Sequence, residues 1–147
     1  HLSAFTAMYS EMARDTGFGK QMKGLRPLLV AAFLISVFIF LFAKPMISIL
    51  FGAEFMPSVQ PLRITIWVIS PYVFVTYTSL GLIALGFEKP VFLSLFTALA
   101  VLLVSLIVLN SAFGLNGAAA AVLFAEIIHA ALLWYQWRVH VISEFPE

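Results

Sequence analysis

The sequence predicts an all-α, polytopic membrane protein of four transmembrane helices preceded by an N-terminal helical segment. Three observations predict it. The 147 residues are 63% hydrophobic and 10% charged, against about 25% charged in soluble domains, and the mean hydropathy is +1.06. Uncharged runs cover 27–43, 64–87 and 90–125, the last with a turn in its middle; about 20 apolar residues cross a hydrocarbon core of about 30 Å. Between these runs lie short stretches rich in Gly, Pro, Asn and charge, the residues that punctuate helices.

Composition also excludes whole classes of function. A net charge of +1 provides no basic field for nucleic acid, and the partner implied by so apolar a chain is membrane lipid. The absence of cysteine removes disulfides, thiolate metal sites and thiol nucleophiles together. The chain opens on His1 and an amphipathic, charged stretch rather than a signal peptide, as expected of a piece of a longer protein.

Residues 1–26 read as the end of a preceding helix and a loop. Phe5, Met8 and Met12 have helical spacing, and Gly17 and Gly19 break it. The first span, 27–51, starts on Pro27 as a first-turn proline and carries Lys44 and Pro45 near its end. A turn at 52–60 follows, holding Gly52, Glu54 and Pro57. The second span, 61–87, contains Pro71, whose lost backbone hydrogen bond the neighbouring Ser70 or an adjacent helix can offset. Glu88-Lys89-Pro90 makes a tight turn at 88–90 before the third span, 91–109. The next turn, 110–117, places Asn and Gly where positive φ is easiest. The fourth span, 118–138, ends in a Trp134, Tyr135, Trp137 belt beside Arg138, and 139–147 is a tail.

Four spans bring both ends to one side. Arg14, Lys20, Lys23, Arg26, Lys89 and Arg138 share that side, against Lys44 and Arg63 on the other. The positive-inside rule therefore places both ends in the cytoplasm.

Two helix faces carry the candidate chemistry. On the second span Arg63, Trp67, Ser70, Phe74 and Tyr77 share a face, with Thr65, Tyr72, Thr76 and Ser79 beside it. They could line a wet cavity in which aromatics meet sugar rings and Arg63 meets a phosphate; interfacial anchoring and ordinary interhelical contacts would use the same residues. On the fourth span Gly117, Ala121, Ala125 and His129 form a small-residue stripe, matched by Ser94, Ala98, Val101 and Ser105 on the third. Glu126 sits mid-span, where an ionised carboxylate costs about 2.5–3.5 kcal/mol, and His129 is within hydrogen-bonding reach at i+3. The pair serves either coupling or bundle packing.

No metal site, cofactor or catalytic constellation is predicted. One Glu-x-x-His lacks the second copy that a di-iron site needs. Gly17-Phe18-Gly19-Lys20-Gln21 lacks both the first glycine and the final Ser or Thr of a phosphate-binding loop.

Ile47-Ser48-Ile49-Leu50-Phe51-Gly52-Ala53-Glu54-Phe55 followed by Leu62-Arg63-Ile64, then Leu82-Ile83-Ala84-Leu85-Gly86, then Phe113-Gly114-Leu115-Asn116-Gly117-Ala118-Ala119 form an ordered set. In order and spacing it resembles the later part of Wzx-type polysaccharide flippases, over nearly the whole chain and less so after Val139. Pro57 and Pro61 depart from the small or apolar residues common there.

The resemblance implies part of the second bundle of a MATE-like two-bundle transporter. Such a protein carries undecaprenyl-diphosphate-linked oligosaccharide for O-antigen, capsule or exopolysaccharide across the bacterial or archaeal cell membrane by alternating access. It is no enzyme, and its partners are the lipid-linked oligosaccharide and an N-terminal bundle of the same protein. Arg63, Trp67 and Tyr77 would contact substrate, and Glu126 and His129 would act in coupling or packing. A cation-coupled multidrug antiporter of the same superfamily and a membrane-embedded polysaccharide polymerase or ligase are the alternatives.

Overall fold

The computed structural model of the chain describes residues 18–142, with side chains from 24 to 140. The expectations for Phe5, Met8, Met12, Gly17 and the end of the tail lie outside the described residues. Every regular element among the described residues is helical, and three helical stretches are long and apolar enough to cross a membrane.

Helix α1 runs Phe18–Leu50, so it passes through Gly19 and holds Pro27 and Pro45 in its interior. The helix thus begins nine residues before the span expected from Pro27, and its stretch apolar enough to cross a membrane is Gly24–Leu50. Leu25, Ala32, Ser36, Ala43 and Ile47 are its buried residues; their spacing puts them on one stripe, and the small side chains let another backbone approach. On the remaining surface Val30, Leu34, Phe38 and Leu41 are all more than half exposed. A helix so apolar on its outer face suits lipid or a further helix rather than water.

Phe51 and Gly52 both donate their N–H to the Ile47 carbonyl, at 2.9 and 3.2 Å, closing α1. Gly52 then turns the chain at φ +89°. What reads in the sequence as a turn over 52–60 is largely helical: a 3-10 helix, Ala53–Ser58, leads into α2, Val59–Thr65. Pro61 is the third residue of α2, within the first turn, where a backbone N–H has no helical acceptor.

The second expected span is not one regular helix. A 3-10 segment, Ile66–Val68, separates α2 from α3, Ile69–Ala84. Pro71 explains the position: it has no N–H, and its ring crowds the carbonyl four residues back, at Trp67. The backbone tightens just there, and Ile69 N–H bonds to the Ile66 carbonyl three residues behind it.

Gly86, at φ +85°, makes the next reversal. Gly86 N–H bonds Ile83 O at 3.0 Å and Phe87 N–H bonds Leu82 O at 2.9 Å, the paired bonds that end a helix at a left-handed glycine. The turn therefore precedes Glu88-Lys89-Pro90, which instead form the first helical turn of α4, Glu88–Trp137. Glu88 favours the positive helix end there.

Gly114 breaks α4 with φ 56° and ψ −138°, giving a first arm, 88–113, and a second arm, 115–137. Val91 of the first arm packs on the same core cluster as Leu133 and Trp137 of the second, together with Val75 and Leu82 of α3. On a straight helix Val91 and Leu133 would lie about 60 Å apart. The chain therefore reverses at Gly114. The left-handed position falls on this glycine, and neither Asn110 nor Asn116 takes positive φ.

The second arm runs parallel to α3. Phe74 meets Trp134 at 6.2 Å, and further along both elements Phe87 stacks on His140 at 5.1 Å. The stripe of Gly117, Ala121, Ala125 and His129 is buried, and it continues through Leu133 and Trp137. Trp137 is only 5% exposed, so it belongs to the core and not to an interfacial belt. A five-residue π-helical segment, Arg138–Ile142, continues the second arm.

Candidate functional site

The best-defined polar arrangement lies where α2 meets the middle of α1. Arg63, in the last turn of α2, donates its Nε–H to the Phe40 carbonyl at 3.2 Å. Its guanidinium carbon sits 5.2 Å from the Phe40 ring centre, within the range of a cation–π contact. One helical step on, Trp67 places its ring 5.9 Å from both Phe33 and Phe40. Arg63 and Trp67 thus share one aromatic wall supplied by α1.

Half-buried, Arg63 has no carboxylate partner among the described residues. Its Nε is spent on a backbone carbonyl that fixes the plane of the group. The terminal nitrogens keep the planar fork of donors that matches a phosphate or carboxylate.

Tyr77 does not join this pair. It lies against the start of α1, where a Cβ added at Gly24 would fall 2.7 Å from the Tyr77 hydroxyl. Phe74 turns to Trp134 on the second arm. Arg63, Trp67 and Tyr77 therefore all lie against α1, with Tyr77 about 20 Å along the axis from Arg63, while Phe74 leaves that face for the second arm. A 3-10 helix turns about 120° per residue instead of about 100°, so three such residues rotate α3 by about 60° relative to α2. Thr65 and Tyr72 of the neighbouring polar line are exposed, whereas Thr76 and Ser79 are half-buried.

Glu126 and His129 are also set apart. His129 is 7% exposed and its Nε2 finds no hydrogen-bond partner, so the i, i+3 bond to Glu126 is not formed. His129 follows the buried stripe toward α3. Glu126, one residue beyond Ala125, is rotated about 100° from that stripe and remains half-buried. No group of three or more His, Asp or Glu able to hold a metal occurs among the described residues.

Sequence reading missed Ser36. Its side chain is fully buried and its hydroxyl lies 2.9 Å from Ala32 O and 3.0 Å from Ile66 O on the broken second helix. The available signal was a lone hydroxyl in the uncharged run 27–43. Ser70, expected to offset Pro71, has a buried hydroxyl without a partner; the adjacent helix supplies the hydroxyl instead.

A groove of about 680 Å³ runs between the arms of α4, lined by Val101, Val104, Ser105, Val108 and Phe124 among others. Apart from Ser105 these residues are apolar, and none of Arg63, Trp67 or Tyr77 reaches it. It suits acyl chains rather than sugars.

No family model, curated protein or solved structure matches the chain. What the site can do rests on its own residues: one oriented guanidinium with no carboxylate partner among the described residues, beside tilted aromatic rings, in an apolar helical assembly.

Proposed function

We propose that the chain is part of a transporter that moves an anionic, diphosphate-linked oligosaccharide lipid across a cell membrane, with Arg63 holding the headgroup. The observation that carries the reading is the guanidinium fixed by Phe40, its terminal donors without a carboxylate partner among the described residues. Trp67 beside it offers a ring face for sugar. A helix interrupted in the membrane is a common feature of transporters, and α2–α3 is such a helix.

The span count in this reading is four. The reversal at Gly114 supports it, since each arm of α4 is about 35 Å or more in length at 1.5 Å per residue and neither carries a charge in its middle save Glu126. Both ends of the chain then lie in the cytoplasm, and the two-bundle arrangement is completed by a further bundle of the same protein.

Glu126 favours a second reading. A half-buried carboxylate without a partner among the described residues is the group a cation-coupled drug antiporter would use.

Binding to the full-length protein in nanodiscs separates the two. A diphosphate-linked oligosaccharide lipid binds and is displaced by soluble diphosphate, and Arg63→Ala weakens it about tenfold or more, as loss of charge-assisted bonds implies. Binding of a cationic dye that Glu126→Gln abolishes, with no binding of the anionic lipid, would contradict the proposal.

A further inference from the structure

Ile66 carries a carbonyl for which more donors compete than it can accept. Ile69 N–H bonds to it, and the Ser36 hydroxyl of α1 bonds to it at 3.0 Å. A carbonyl oxygen has two lone pairs; the second faces the single Ser36 proton, which Ala32 O at 2.9 Å also attracts. Ser70 lies four residues after Ile66 and three after Trp67, the two spacings at which a helical serine bonds back to a carbonyl of its own helix.

The serine and threonine bonds on α4 keep to these spacings, three residues back in three cases and four in one. Ser94 donates to Val91 O, Thr97 to Leu93 O, Ser105 to Leu102 O and Ser111 to Val108 O, all at 3.2 Å or less. Ser70 is different: its Oγ is buried and has no partner. Of its two acceptors, the one four residues back is the carbonyl that Ser36 reaches.

We infer that the Ile66 carbonyl is a two-position latch. In the conformation described, Ser36 ties α1 to the 3-10 break. When α1 separates from the break, Ser70 takes the vacated lone pair, so the carbonyl is satisfied in both positions. Exchange of one hydroxyl for another keeps the two states close in free energy, which a reversible gate requires. Ser36 and Ser70 are positioning residues, and the device is independent of what is carried.

The test uses the full-length protein in lipid nanodiscs, with nitroxide labels at Val30→Cys and Tyr72→Cys. Both positions are 58% exposed, and the described chain has no natural cysteine. Wild type should give two interlabel distances. Ser36→Ala should lower the ratio of short to long populations about fivefold, and Ser70→Ala should raise it about fivefold. The double variant should return near wild type.

Thermal melting supplies an arm that survives misfolding of Ser36→Ala. Ser70→Ala, which removes a hydroxyl that has no bond here, should melt no lower than wild type, and Ser36→Thr should keep the wild-type distribution. An unchanged distribution in all variants, both single variants shifting the same way, or Ser70→Ala melting clearly below wild type would overturn the latch.

Discussion

Arg63 shows how one guanidinium can be held among apolar helices. Left to itself, a guanidinium in an apolar setting is costly. Here its Nε lies on a backbone carbonyl and its face on an aromatic ring, which reduces that cost without neutralising the charge. Lysine would keep the charge but not the fork, so Arg63→Lys should still weaken anionic-lipid binding severalfold, measured as the Kd ratio to wild type. Gly114 and Gly117 matter for backbone reasons. A Cβ at Gly117 would strike the Leu109 carbonyl across the reversal, and Gly114 occupies a conformation that side chains resist. Each Ala substitution should cost about 1–3 kcal/mol, read as a lower midpoint in denaturation of the purified protein. Gly114 stood out in the sequence because Asn and Gly cluster there. The close approach at Gly117 did not, since it depends on where the chain goes after the turn.

At the scale of the element, the broken second helix is the least legible part of the sequence. Hydropathy marks 61–87 as one apolar run, and it contains no information on how a proline's missing bond is absorbed. Pro71 announced a disturbance; its resolution into a 3-10 turn, with Ser36 of another helix on the Ile66 carbonyl, required tertiary contacts. Trp67 stays with Arg63 because it is one turn on, while Tyr77, about 20 Å further along, meets the other end of α1 at Gly24. Pro71→Ala lets residue 71 donate to Trp67 O and permits a continuous α-helix. It should leave thermal stability undiminished and slow transport, because straightening turns the Arg63–Trp67 wall relative to α3. By contrast, the buried stripe Gly117, Ala121, Ala125, His129 was readable from spacing alone, since small residues four apart have one efficient use in apolar helices.

For the whole molecule, composition and uncharged run lengths were sufficient for an all-helical, membrane-compatible chain. They could not define which polar groups meet. Glu126 and His129 have bonding spacing yet no bond, because the helix stripe directs His129 to α3. The topology expected from charge placement can be read by single-cysteine labelling, the sequence having no cysteine of its own. With a membrane-impermeant maleimide on intact cells, Glu54→Cys and Asn110→Cys should react, and Lys89→Cys and Arg138→Cys only after permeabilisation. Lys89→Cys and Asn110→Cys reacting from the same side would contradict four spans. The central claim is that this chain helps carry an anionic oligosaccharide lipid by way of Arg63. The most direct measurement is the rate at which the full-length protein in proteoliposomes moves a diphosphate-linked oligosaccharide lipid between leaflets, followed by its loss of protection from an external glycosidase. The account predicts protein-dependent transfer that Arg63→Ala slows at least tenfold; transfer no faster than in empty liposomes, or equal for wild type and Arg63→Ala, would contradict it.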